Sequence, residues 1–175
     1  MPAGTLEELA AAEAEIEQIV ASLEGTMEEK AAHLEAVGIF RRYTEIFAAY
    51  LSLAEPPPSE LEALKRAAFL AWYEVTEPAC FSGISGLPVD ARARIIALIE
   101  PLVPHLDAEF RWMLAYYFRI ADYTFPDLGQ HSLLRALLDE EDPDAWLAQR
   151  ASPDSMVGRG LMGEYWISVF RSSAA

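Results

Sequence analysis

The hexapeptide Gly158-Arg159-Gly160-Leu161-Met162-Gly163 has the spacing G-x-G-x-x-G, in which glycines let a backbone cradle phosphates. That chemistry needs a buried strand before the first glycine and a βαβ unit around it. Here the preceding residues are SPDSMV, and the sequence given runs only to Ala175. The kinase version of the loop needs a later lysine, and none follows Lys65. The motif therefore predicts packing: glycines that turn the chain into a final helix, with Arg159 between them placed to hold a carboxylate.

Other reactive groups meet the same test. Ser85 lies in Gly83-Ile84-Ser85-Gly86-Leu87, but a nucleophile elbow needs glycine where Leu87 stands, and a sheet beneath it. Cys80 needs a neighbouring base to become a thiolate, and His33, His105 and His131 are dispersed. No H-x-x-x-H or C-x-x-C occurs, and the positions three before each histidine are Lys30, Leu102 and Leu128, not the glutamates of a di-iron bundle. The run Asp139, Glu140, Glu141, Asp142, Pro143, Asp144 lacks the glycine and spaced glutamate of an EF-hand. It reads as an acidic contact loop for a basic partner, or as a solvated loop. No catalytic residue, metal ligand or cofactor-binding residue is assigned, and no cofactor is expected.

One constellation remains. Glu109, Arg111, Tyr116, Tyr117, Arg119, Asp122 and Tyr123 fall on one predicted helix, and Arg159, Tyr165 and Trp166 lie near the end. If the last helix packs on that one, arginines and aromatics line a groove of the kind that anchors an interface. The alternative has Arg119 paired with Asp122 at i,i+3 on the wet face, with the aromatics in the core. Glu109 sits on the aromatic side, where burial raises a carboxyl pKa towards that of an acid catalyst, yet also in a first turn that welcomes a carboxylate.

The elements that carry these residues read as helices. Thr5-x-x-Glu8 and Thr26-x-x-Glu29 are capping boxes, and Ser59-x-x-Glu62 spells a third. They predict helices over about 6–24, from 27 with a kink or split at Gly38, and from 60 to Thr76. Pro56-Pro57-Pro58 separates the second from the third. Asp90 predicts a cap for a short helix truncated by Pro101 and Pro104, and Asp107 a cap for a helix through Phe125. That helix is apolar around most of its circumference and so reads as central. Ser132 starts a short helix, Asp142-Pro143 another through Arg150, and the last begins near Gly160. No segment has the alternation of a strand. The expectation is an all-α fold: a compact bundle or short stack of seven to eight antiparallel helices, one domain over 1–175. Residues 1–25 form a separable N-terminal helix whose spacing of sevens at Leu9, Ile16 and Leu23 offers a homo-oligomer seam, interrupted by Glu13.

Charge narrows function further. The chain has 28 acidic and 13 basic residues, a net charge of −15. Phosphate backbones are repelled, and Arg41-Arg42 and Arg92-x-Arg94 are too small to make a basic patch, so nucleic acid is not expected. No apolar run is long enough to span a membrane, and the acidic first residues do not read as a secretory signal. These features and the single cysteine point to the cytoplasm. Arginine over lysine and abundant alanine suggest a GC-rich bacterial genome. The leading expectation is a non-enzymatic, acidic interaction domain with a basic protein partner, such as an immunity or inhibitor protein or an adaptor. The rivals are a small-molecule binder or enzyme with an Arg- and Tyr-lined pocket on the 107–125 helix, and a fragment of a helical repeat.

Overall fold

The computed structural model describes residues 4–55, 61–142 and 152–173. In those residues nine α-helices form and no strand: α1 Leu6–Ser22, α2 Met27–Ala36, α3 Ile39–Ala54, α4 Leu61–Thr76, α5 Ala79–Ser82, α6 Ala91–Ile99, α7 Ala108–Ile120, α8 Ser132–Glu140 and α9 Gly160–Ser173. Both threonine capping boxes close as local chemistry dictates. Thr5 Oγ1 accepts from the Glu8 amide at 3.2 Å while the Glu8 carboxylate accepts from the Thr5 amide at 2.8 Å, and Thr26 with Glu29 repeats the arrangement. The predicted kink at Gly38 is a full break between α2 and α3. The third box and the predicted helix 143–150, with Asp144, lie outside the described residues.

The central helix is α4, where the hydrophobic pattern pointed to 108–125. Every residue from Ala63 to Trp72 is buried, Lys65 and Arg66 included. It packs on α3, α5, α6 and α9. Lys65 is neutralised by Asp107 and Glu109 from the start of α7 and Arg66 by Glu62 of α4 itself, which lets that face sink. Helix α7 is also largely buried, through Phe110, Trp112 to Ala115 and Tyr117. Between α4, α7 and α9 the core is aromatic. Trp72 stacks on Tyr117 at 4.7 Å, and Trp112 meets Trp166 at 4.4 Å between centroids.

Three element ends differ from expectation. Helix α7 stops at Ile120, not Phe125, because Ala121 leaves the helical region at φ −154°, ψ 75°. Asp122 and Tyr123 therefore lie in a 3-10 turn beyond it. Asp90 makes no side-chain cap. Nor does Ser132, the first residue of α8; the amides of Leu133 and Leu134 are taken by the Glu100 carboxylate at 3.0 and 2.9 Å, a cap supplied from 33 residues away. The segment read as a loop over 80–88 opens with the single turn of α5.

Residues 6–22 dock on their own chain. Helix α1 buries Leu9, Glu13 and Ile16 against α9, α5 and α3.

Candidate functional site

Two clusters bring titratable groups together. The first is an ionic knot where α4, α7 and the start of α9 meet. Arg159 reaches back from α9 to hold Glu62 through Nε at 2.8 Å, and Glu109 through Nη1 and Nη2 at 3.0 and 2.7 Å; its Nη2 also bonds the second Glu62 oxygen. Lys65 donates to Asp107 at 2.8 Å and to Glu109 at 2.7 Å, while the other Asp107 oxygen caps α7 by accepting from the Phe110 amide. Arg66 completes the set with Glu62 at 2.8 Å and the Leu6 carbonyl at 3.0 Å. Three cations balance three carboxylates, so each buried charge has a partner.

This pairing decides the chemistry of Glu109. Burial pushes its carboxyl up, but the bonds from Arg159 and Lys65 outweigh that and hold it below the ordinary carboxylate range. A carboxylate kept ionised and doubly bonded is no proton donor, so the knot reads as a structural clamp. Burial opposes charge on Arg159 as well; Glu62 and Glu109 overcome it and raise its pKa.

Two glycines of the opening motif, Gly160 and Gly163, sit where the start of α9 runs close to its neighbours. Gly160 has φ +62°, and a Cβ built there would overlap the Glu13 carboxylate. A Cβ on Gly163 would press into the Met156 carbonyl. Both glycines are needed for close approach.

The second cluster centres on Glu13, which is 1% exposed. Its Oε2 accepts from Tyr50 Oη at 3.1 Å and from the Leu161 amide, in the first turn of α9, at 3.3 Å. Arg66 touches Tyr50 at 3.5 Å but makes its ion pair with Glu62. Burial therefore dominates and pushes the Glu13 pKa up to about 8, against the two hydrogen bonds and the more distant charge of Arg66. Glu17, one turn on, is pushed up to about 7 by burial and then by the like charge of Glu164 on α9.

Above these groups, α1 and the start of α9 bound an open groove of about 340 Å³. Its floor is Ala10, Ala11, Ala14, Gly158 and Gly160, and its carboxylates are Glu7, Glu17 and Glu164. Among the described residues lining it, none is basic. Sequence reasoning missed this face because Glu17 and Glu164 are 147 positions apart and the alanines carry no chemical signature.

The residues singled out from the sequence do not form one groove. Glu109 and Arg159 meet in the knot. Tyr165 and Trp166 join the aromatic core, where Tyr165 Oη lies 3.1 Å from Tyr116 Oη. Arg111 bonds Glu141 at 3.4 Å, and Arg119 pairs with Asp142 at 3.7 Å rather than with Asp122. Tyr123 is exposed. Of the acidic run, Asp139 pairs with Arg135 at 2.8 Å, so with Glu141 and Asp142 much of its charge is neutralised within the chain; Glu140 is exposed.

Cys80 is buried. Among the described residues no group of three His, Cys, Asp or Glu side chains is placed to hold a metal ion, and no helix is long and apolar enough to cross a membrane. No protein-family model matches the chain, and neither a curated protein nor a solved structure does.

Proposed function

We propose that this protein is a non-enzymatic interaction domain that receives a basic helix of a partner protein in the groove between α1 and α9. The observation that carries this reading is the imbalance of charge at that groove. Elsewhere, ion pairs engage cations on the knot, on α7 with the segment after α8, and between neighbouring helices. At the groove, Glu7, Glu17 and Glu164 converge without a base beside them. Glu17 and Glu164 repel each other across it, a cost that an incoming arginine or lysine relieves. The alanine and glycine floor has no bulky side chain to hold a partner backbone away. An inhibitor of a basic protein and an adaptor are both versions of this function. The net charge of −15 draws such a partner in from a distance.

The test uses a helical peptide of alanine and arginine against its glutamate counterpart, titrated into the full chain at low and high salt. The arginine peptide binds, and binding weakens with salt as exposed charge pairs are screened. The triple variant Glu7→Gln, Glu17→Gln, Glu164→Gln keeps its helical circular dichroism and loses the peptide. Equal binding by wild type and triple variant refutes the assignment.

A further inference from the structure

The walls of the α1–α9 groove bring two carboxylates towards each other. Glu17 comes from α1 and Glu164 from α9, and both line the opening. Glu164 is exposed, whereas Glu17 is half-buried. A carboxylate withdrawn from water towards a like charge holds a proton for two reasons, lost solvation and repulsion. Both act on Glu17, burial first and Glu164 second, and they set its pKa at about 7.

The surrounding elements supply no counter-charge. Helix α1 packs on α9, α5 and α3. From α9 comes Glu164, while Arg171 lies further along that helix and does not line the groove. Helix α5 has no charged residue. From α3 come Tyr43 and Tyr50, whose phenols burial keeps protonated well above neutral pH. Tyr73 of α4, raised to about 12, is neutral there too. On α1 itself Glu13 is a second carboxyl, one turn back and buried. The cations of α3 and α4 are engaged: Arg41 with Glu45, Arg42 with Glu15, Lys65 with Asp107 and Glu109, and Arg66 with Glu62.

We propose that the groove is a proton-coupled docking site: a cationic side chain of the partner enters between Glu17 and Glu164 as Glu17 releases its proton to solvent, so that the complex forms as pH rises through neutrality and dissociates in mild acid. This inference rests on the reading of the groove as the seat of a basic helix and adds its regulation. A cation seated there removes the repulsion and returns Glu17 towards its ordinary 4.5. By linkage, what lowers the proton's affinity for Glu17 is itself displaced by the proton. Between pH 6.0 and 7.5 the ionised fraction of a group with a pKa of about 7 grows about eightfold, and affinity for the cation grows by the same factor. Glu13, with its pKa of about 8, titrates mainly above this window.

The experiment is a calorimetric titration of the full chain with the alanine–arginine helical peptide at pH 6.0 and 7.5. Ionic strength is held constant, and two buffers of different protonation enthalpy are used. Arginine keeps its charge throughout, so the peptide does not titrate. The peptide binds about eightfold more tightly at pH 7.5, and the difference in heat between the buffers reports a released proton. In Glu17→Gln most of the pH dependence and the proton release disappear, which separates Glu17 from His33, His105 and His131, none of which lines the groove. Carboxyl carbon NMR of the wild-type chain gives a second readout if that variant fails to fold: the Glu17 midpoint lies near 7 in the free chain and falls on saturation with peptide. Equal affinity at the two pH values, a pH dependence that survives intact in Glu17→Gln, or a Glu17 midpoint that the peptide does not move overturns the coupling and leaves the docking site standing. Absence of binding at both pH values refutes the docking site, and the coupling with it.

Discussion

Replacing Glu13 by Gln reshapes the dependence of stability on pH. Glu13 has a folded pKa of about 8 against an ordinary 4.5, because burial outweighs the bonds from Tyr50 and Leu161. The folded chain thus holds a proton that the unfolded chain releases above about pH 4.5. Its contribution is fully present below that value and is lost as pH rises towards 8. At about 1.4 kcal/mol per pKa unit, linkage gives a loss of about 3–4 kcal/mol between pH 5 and pH 8 from this one group. Glu17 acts in the same direction by a smaller amount, since it is only half-buried. Glu109, held below the ordinary carboxylate range, changes stability only at more acid pH, where its contribution is lost as pH falls. Urea unfolding followed by circular dichroism at steps from pH 5 to pH 9 measures the effect. Wild type weakens steadily up to pH 8, and Glu13→Gln, neutral throughout, follows a much flatter curve and is the more stable protein at pH 8. Parallel curves for the two proteins would show that Glu13 is ionised when folded, and the reasoning about the α1–α9 seam would fall with it.

The remaining predictions concern the clamp. Arg159→Ala leaves Glu62 with Arg66 alone and Glu109 with Lys65 alone and costs about 2 kcal/mol in chemical denaturation; adding Glu109→Gln in that background recovers part of the loss. A full loss unchanged by the second substitution would show that Arg159 acts by packing alone. Gly158→Ala costs about 1 kcal/mol, because its φ of +77° is strained for alanine but the space around it is open. Gly160→Ala adds collision with Glu13 and costs at least about 3 kcal/mol; equal costs at the two positions would contradict the close approach of α1 to α9.

The threonine capping boxes are legible in the sequence, whereas the caps at Asp90 and Ser132 and the distant contacts are not. Thr5 with Glu8 and Thr26 with Glu29 close within one turn, so their spacing alone predicts their geometry. The all-α fold follows from apolar spacing and from the absence of alternating segments. The burial of α4 is not legible because Lys65 and Arg66 are polar by type and buried by circumstance. The partners of Lys65, Asp107 and Glu109, lie more than forty residues away, and no local pattern announces them, whereas Arg66 pairs with Glu62 one turn before it. Arg159 holds Glu62 from 97 residues off, for which its glycine neighbours gave only the hint that a carboxylate was near. Glu13 was noted as the polar residue in an apolar seam; its burial under Gly160 depends on α9 folding back onto α1. The helix end at Ile120 is not legible in Pro126, which lies six residues beyond it while a proline disturbs a helix only as far as the carbonyl four residues back.

The most direct test of the proposed function is an amide NMR titration of the full chain with the alanine–arginine helical peptide. The account predicts shifts concentrated at Ala10, Ala14, Glu17, Gly158 and Gly160 and at Glu164, with little change at Asp139 to Asp142. Shifts confined to the acidic 139–142 stretch, or none at all, would contradict it.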